Sequence, residues 1–192
     1  AVPLCLAISY WSLIIYIPIY LQKVFQIDVQ IISHIMLFFT FPMFLVPYAT
    51  KGLAANLGDF IFYPGGLFIV GIGCFIMAIS ALQASYFIAV MGMVLASSGA
   101  AAIQTQISGA LIASAPQDKA GSVSAIMTIL RQGGFAVGIA LLSVIVTSNA
   151  SSSDNDQMVF AIMFGLCGII AFTSCVLIYF LILAGQPIDE KD

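Results

Sequence analysis

Charged side chains are scarce in this sequence. They make up 7% of its 192 residues, while 62% of the residues are hydrophobic. A soluble domain carries roughly a quarter charged residues. The mean hydropathy of +1.15 is that of a chain dominated by apolar side chains. The scarcity of charge therefore excludes an ordinary soluble domain and favours a chain embedded in a lipid bilayer.

Basic clusters and catalytic motifs are missing as well. A net charge of −3 leaves no basic stripe, so nucleic acid is not an expected partner. The sequence contains neither HExxH nor GxSxG and has no pair of carboxylates within an apolar run, so we expect no enzyme and no catalytic residue. The four cysteines lack CxxC spacing and predict packed thiols. We therefore expect no metal site and no cofactor.

Long apolar runs are what the sequence has instead. Six of them reach the length of about 20 residues that a membrane-crossing helix needs. They cover approximately 1–22, 30–50, 60–81, 85–113, 121–147 and 158–184. A β-barrel is excluded because its strands alternate apolar and polar residues, whereas FGLCGIIAFTSCVLIYFLIL is apolar on every face. We predict an all-α membrane protein with six transmembrane helices in residues 1–185, numbered spans 1 to 6, and a short cytoplasmic tail at 186–192.

Lysines outside the spans predict the orientation of the bundle, because cytoplasmic loops keep an excess of Lys and Arg. Lys51, Lys119 and Lys191 fall on one side of the membrane and Lys23 falls on the other. This asymmetry predicts that both ends of the chain are cytoplasmic. The expected location is the plasma (inner) membrane.

Polar side chains are unevenly distributed among the spans. Spans 3 and 6 have few, whereas spans 1, 2, 4 and 5 carry most of the Ser, Thr and Gln. Polar groups in hydrocarbon are costly and normally face a bundle interior or a water-filled cavity. We therefore expect spans 1, 2, 4 and 5 to line a cavity and spans 3 and 6 to face lipid, a pattern that suits two three-helix repeats. For a single Ser, Thr or Gln, a hydrogen bond to a neighbouring helix is the alternative.

Arg131 is the one charged residue deep inside an apolar run. It lies about ten residues into span 5, which at about 1.5 Å per residue places it near the middle of the bilayer. An arginine at this depth disfavours insertion by about 2.5–3.5 kcal/mol, so it requires an anion, backbone carbonyls or water. A structural clamp on neighbouring carbonyls and a role in a transport pathway both fit the sequence.

The candidate substrate or ion pathway joins the Arg131 face of span 5 to residues of spans 1 and 4. Its members are Arg131, Gln132, Thr128, Ser124, Gln104, Trp11 and Tyr16. Ser124, Thr128, Arg131, Phe135 and Gly138 recur at three- and four-residue steps and so share one helix face, which we expect to form a cavity wall. Gly134 and Gly138 form a GxxxG pattern, which favours close helix packing.

Three segments carry a resemblance to a known family. YIPIYLQKVFQIDVQ, SAPQDKAGSVSAI and LRQGGFAVGIALL, with Pro42, together resemble the C-terminal six-helix half of a major facilitator superfamily transporter, most closely the fourteen-span drug:proton antiporter branch. The resemblance covers nearly the whole chain. It implies a fragment that works with a missing N-terminal half, a small-molecule substrate and protons. One departure is Asn56, which stands where the superfamily often has an aspartate in the loop after span 2.

The chemistry of the spans narrows the expected substrate. Apolar spans with few hydrogen-bonding groups suit a lipophilic or amphipathic compound better than a sugar. Together with the resemblance, this predicts proton-coupled efflux of drug-like compounds by alternating access. The alternative is a structural or assembly six-helix membrane protein without transport activity.

Overall fold

Six apolar spans form the protein in the computed structural model, which describes residues 2–113, 115–116, 119–148 and 156–184. The spans are Val2–Phe25, Val29–Thr50, Ile61–Gln83, Tyr86–Ala113, Ala120–Thr147 and Asp156–Phe180, numbered 1 to 6. No strand occurs in these residues. The predicted all-α fold with six membrane-spanning helices is confirmed, whereas the predicted tail at 186–192 lies outside the described residues.

The helix ends follow local sequence signals. The α-helices are Val2–Leu6, Leu13–Phe25, Val29–Thr40, Pro42–Gln83, Tyr86–Ala113, Ala120–Ser148 and Asp156–Ala184. Pro42 begins its helix, where its missing N–H leaves no hydrogen bond unmade. Gln26 and Ala84 follow helix ends with left-handed φ values of 53° and 47°. Span 1 continues to Phe25 rather than ending at residue 22, and Pro18 lies within its helix without ending it.

The connection between spans 2 and 3 is helical rather than the predicted irregular loop. Pro42–Gln83 is helical on both sides of a kink at Gly58, where φ is 69° and ψ is 163°. The Ala and Leu residues of KGLAANLGD favour helix. Glycine adopts a positive φ at little steric cost, so the chain breaks at this one residue.

Span 1 is interrupted by a π-helical turn, Ala7–Trp11, between two α-helical stretches. The Ser12 N–H donates to the Ala7 carbonyl at 3.4 Å across this turn. A π-turn inserts an extra residue into an α-helix and is frequent at functional sites. Here the Tyr10 ring is buried and stacks on Phe39 of span 2 at a centroid distance of 5.7 Å. Trp11, the next residue, remains only half-buried.

Span 3 lies against span 4 through glycines on both helices. A Cβ added at Gly73 would lie 2.5 Å from the Ala96 backbone nitrogen, and a Cβ at Gly99 would lie 2.7 Å from the Gly66 carbonyl oxygen. Carbon atoms do not approach backbone this closely, so these backbones meet only because the side chains are absent. Small residues serve this purpose between membrane helices, where no hydrophobic effect drives association.

Span 3 also packs against span 6, through aromatic rings laid over glycines. The Phe172 ring covers Gly71 and the Phe75 ring covers Gly168, so that an added Cβ would lie 3.0 Å and 2.8 Å from the respective ring. As a result span 3 is 56% buried, the same share as span 4. Span 3 is therefore enclosed on two sides, more than its expected lipid-facing position implied, because its apolar residues and glycines are used for helix contacts.

Candidate functional site

Arg131 lies on span 5 opposite the π-helical turn of span 1. Its Cζ is 6.0 Å from the centroid of the Trp11 ring, which is the outer limit of a cation–π contact at about 6 Å. The arginine is half-buried, and among the described residues its guanidinium makes no hydrogen bond or ion pair. Such a contact contributes about 0.5–2 kcal/mol. It therefore offsets only part of the cost of holding a cation within the membrane.

Two cavities meet at Arg131. The first, which we call the polar cavity, has a volume of about 140 Å³ and lies toward the Ala120 end of span 5. Its polar lining residues are Gln104, Ser108, Ser124, Thr128 and Arg131. The second, which we call the aromatic cavity, has a volume of about 300 Å³ and is lined by Trp11, Arg131, Gln132 and Phe135. Spans 1, 4 and 5 build the polar cavity, and spans 1 and 5 build the aromatic cavity.

The structure brings the predicted pathway residues together, with one exception. Tyr16 lines neither cavity. It is buried, and its hydroxyl donates to the Ile139 carbonyl at 3.2 Å. A buried phenol normally finds an acceptor, so Tyr16 ties span 1 to span 5 instead of contacting a cavity.

Within the polar cavity, two of the three hydroxyl donors are already used inside the helices. The Thr128 hydroxyl donates to the Ser124 carbonyl at 3.0 Å, and the Ser108 hydroxyl donates to the Gln104 carbonyl at 2.9 Å. A hydroxyl has one hydrogen and two lone pairs. These two side chains therefore present acceptors to the cavity, which leaves Arg131 as its strongest donor.

Gly134 and Gly138 lie where span 5 crosses the π-helical turn. An added Cβ would come within 2.8 Å of span 1 at both positions, meeting Ala7 from Gly134 and Ser12 from Gly138. Both glycines are buried. Their missing side chains thus set the separation of spans 1 and 5, and with it the width of the aromatic cavity.

Seven lining residues were not among the predicted site residues: Pro3, Leu6, Ile107, Ser108, Ile112, Met127 and Phe135. Ser108 lies one helical turn after Gln104 on span 4, and Phe135 lies one turn after Arg131 on span 5. Residues four apart share a helix face, so extending from Gln104 by one turn would have found Ser108, and the predicted face of span 5 already contained Phe135. The cavities present a cation, amides, hydroxyls and aromatic rings. Across the described residues, no group of three or more His, Cys, Asp or Glu is placed to hold a metal ion.

Comparison with known proteins places this bundle in a family. A family model described as Major Facilitator Superfamily matches residues 2–192. The match runs through all six spans and is not confined to one motif. No curated protein matches the chain.

Proposed function

The chain belongs to the major facilitator superfamily of membrane transporters, and from this premise we propose that it is the C-terminal half of a secondary active transporter. The proposed activity is proton-coupled efflux of lipophilic or amphipathic compounds by alternating access. The observation that carries the proposal is that Arg131 lines two cavities, one on each side of it along span 5.

The position of Arg131 supports a role in a transport pathway. It is near the middle of its span, and in transporters of alternating access the substrate site lies near the bilayer midplane. The polar cavity extends from it toward one end of span 5, and the aromatic cavity extends toward the other. A side chain placed between them is positioned to contact a substrate that approaches from either side.

The exposed face of span 5 supports the pairing with a second half. This span is 17% buried, and Ser124, Thr128 and Gln132 are all exposed. Lipid tails offer these groups no hydrogen bonds, so polar side chains at this depth normally face protein or a water-filled cavity. Six further helices on this side would enclose both cavities. An N-terminal half is the partner that the proposal assigns to this face.

Proton coupling and efflux rest on the resemblance to drug:proton antiporters. Among the residues of the six spans, the only acidic one is Asp156, at the very start of span 6. The proposal therefore assigns the proton-carrying group to the N-terminal half. The chemistry of this chain supports the substrate side, since the aromatic cavity combines Trp11 and Phe135 with a single cation.

Transport by the two-half protein in proteoliposomes tests the proposal. A pH gradient should drive saturable flux of a lipophilic substrate, and Arg131→Ala should abolish it while the melting temperature stays near that of the wild type. Arg131→Lys should retain part of the flux, because it keeps the charge and loses the planar five-donor fork. Lys119→Ala, which removes an exposed cation elsewhere, is the matched control.

The outcomes separate the possible roles of Arg131. A structural clamp would show itself as a loss of folded protein in Arg131→Ala, because carbonyls would lose their donors in a medium without water. Normal flux together with normal stability in Arg131→Ala would contradict the proposed pathway. Absence of gradient-driven flux in the wild type would favour a structural six-helix protein.

The proposed orientation places both chain ends in the cytoplasm of a cell with this transporter in its plasma membrane. It is tested by single cysteines at positions 118 and 154, with the unsubstituted chain as control because its own cysteines lie in the spans. An impermeant maleimide applied from outside should modify position 154 and not position 118. Modification of position 118 would reverse the orientation.

A further inference from the structure

We propose that the aromatic cavity binds an amphipathic organic anion, with the anionic group on Arg131 and an aromatic body against Trp11 and Phe135. This inference rests on the proposed function, because it names the substrate class of the same site. It also excludes a class, since permanently cationic compounds are not expected to bind there.

The charge distribution within the spans carries the first step. The charged residues of the six spans are Lys23, Arg131 and Asp156. Lys23 and Asp156 lie at span ends and pair with each other, with Nζ and Oδ1 3.5 Å apart. Arg131 is therefore a lone cation inside the membrane part of the chain. Its cavities contain no carboxylate to neutralise it.

The unused donors of Arg131 carry the second step. A guanidinium has five N–H donors in a planar fork that matches a carboxylate or a sulfonate. Within the described residues the guanidinium contacts the Trp11 ring, which has no oxygen atom to accept its N–H groups. Because the arginine is only half-buried, water solvates it until a ligand arrives. An anion that replaces this water gains charge-assisted hydrogen bonds in a medium of low dielectric constant.

The shape and lining of the aromatic cavity carry the third step. Its volume of about 300 Å³ is near the lower end of the range of about 300–1,000 Å³ for small-molecule sites. Trp11 and Phe135 supply flat apolar surface in the same cavity as the cation, and Gln132 adds an amide. This lining suits a ligand with one or two aromatic rings and one anionic group. A cationic ligand of the same size would meet Arg131 as a like charge.

Trp11 makes the cavity directly measurable. It is the only tryptophan in the chain and lines this cavity, so intrinsic tryptophan fluorescence reports from the site itself. The chain is reconstituted in liposomes of zwitterionic phosphatidylcholine, which has no net charge, with empty liposomes as blank. Three probes that share a quenching nitrophenyl ring are titrated: 4-nitrobenzoate, 4-nitrobenzamide and 4-nitrobenzyltrimethylammonium.

The expected order of binding is anion, then neutral probe, then cation. 4-Nitrobenzoate should quench Trp11 saturably and bind about tenfold or more tightly than the amide, the ratio expected for a hydrogen bond to a charged group. Arg131→Gln should remove this preference, and Arg131→Lys should keep part of it. Lys119→Gln removes the same charge at an exposed position outside both cavities and should leave all three affinities within about twofold, as for other surface changes.

Several results would overturn the inference. They are equal quenching by all three probes, tighter binding of the cation, no saturable quenching by 4-nitrobenzoate in the wild type, and an unchanged preference in a folded Arg131→Gln. The wild-type series decides the matter even if that variant does not fold. Calorimetric titration of the two-half protein adds one further check. Loss of 4-nitrobenzoate binding there would mean that a carboxylate of the other half holds Arg131, which also refutes the inference.

The test separates this inference from the proposed function, because it measures equilibrium binding and not flux. A protein that transports but prefers the cationic probe refutes the anion site alone. A protein that binds the anion and shows no gradient-driven flux refutes the transport proposal alone.

Discussion

Spans 3 and 5 both use glycine to approach a neighbour, yet their surroundings differ. Span 3 is 56% buried, between spans 4 and 6, whereas span 5 is 17% buried and contacts span 1 along one narrow strip. A glycine pattern therefore indicates that one face is packed, and it says nothing about the opposite face. Polar residues make the distinction: the exposed face of span 5 carries Ser124, Thr128 and Gln132, while span 3 has almost none.

This difference separates a supporting region from the proposed binding region. Span 3 is held on two sides by backbone and aromatic contacts, so it has little freedom to move. Span 5 meets span 1 closely at Gly134 and Gly138, and apart from Leu142 its other residues are exposed or half-buried. We expect substitutions in span 3 to change stability and substitutions in span 5 to change binding.

The largest effect is expected from Gly73→Ala in the span 3 region. Its Cβ would lie 2.5 Å from the Ala96 backbone nitrogen, and backbone cannot yield as a side chain can. Overpacking of this kind typically costs about 1–3 kcal/mol, and we expect a value at the upper end together with a lower folded yield. Thermal unfolding of the purified protein in detergent measures it. The control is Gly65→Ala in the same span, where no atom lies within 4 Å of the added Cβ.

The contrast between spans 3 and 5 fails if Gly73→Ala and Gly65→Ala have the same stability. Gly65→Ala should be neutral or stabilising by up to about 1 kcal/mol, because alanine is the better helix former. Equal stability of the two variants would show that spans 3 and 4 are not in close contact at Gly73.

A smaller loss of stability is expected from Gly134→Ala in the span 5 region. The added Cβ would lie 2.8 Å from both the Ala7 Cβ and the Leu4 carbonyl oxygen, but the exposed side of span 5 gives the helix room to shift outward. We expect a cost near the lower end of the range of about 1–3 kcal/mol for overpacking, with weaker quenching of Trp11 by 4-nitrobenzoate as the cavity widens. The same detergent unfolding assay and fluorescence titration measure the two effects.

Gly133→Ala is a control one residue away, since nothing lies within 4 Å of its Cβ. It should neither lower the unfolding temperature nor change the quenching of Trp11 by 4-nitrobenzoate. If Gly134→Ala lowers stability as much as Gly73→Ala does, span 5 is as constrained as span 3 and the contrast between the two regions fails.

The smallest effect is expected from Lys23→Ala, outside both regions. Lys23 pairs with Asp156 at 3.5 Å, and the two side chains are 47% and 39% exposed. Exposed ion pairs contribute about 0–1 kcal/mol and are screened by salt. A loss of about 1 kcal/mol lowers the unfolding temperature of a chain of this size by about 2–4 °C, so we expect a fall no larger than this. The difference from wild type should vanish in high salt. A large, salt-insensitive loss would assign Lys23 another role.

The six spans were predictable because hydrophobic length alone defines them. The polar face of span 5 was predictable too, since Ser124, Thr128 and Arg131 follow the helix period, and the structure places all three at one cavity. Short-range signals suffice for features of this kind.

The contact between Arg131 and Trp11 was not predictable. It depends on how span 1 is rotated about its axis, and that rotation depends on the π-helical turn at Ala7–Trp11. No single residue type marks such a turn, which is stabilised by packing against span 5. The helical connection around Gly58 was missed for a different reason, because glycine and charged residues near a span end also suit an irregular loop.

The π-helical turn puts the two parts of span 1 out of phase. One extra residue corresponds to about 100° of rotation in an α-helix, so the segments before and after the turn address different neighbours. The early segment offers Leu4 and Ala7 to the glycines of span 5, and the later segment offers Tyr20 to the rings of Phe160 and Phe164 in span 6. Span 1 thereby contacts span 5 with one segment and span 6 with the other, on faces that differ by the rotation at the turn. Deleting one residue from the turn would realign the segments and break one of these contacts, which a change in Trp11 fluorescence would report.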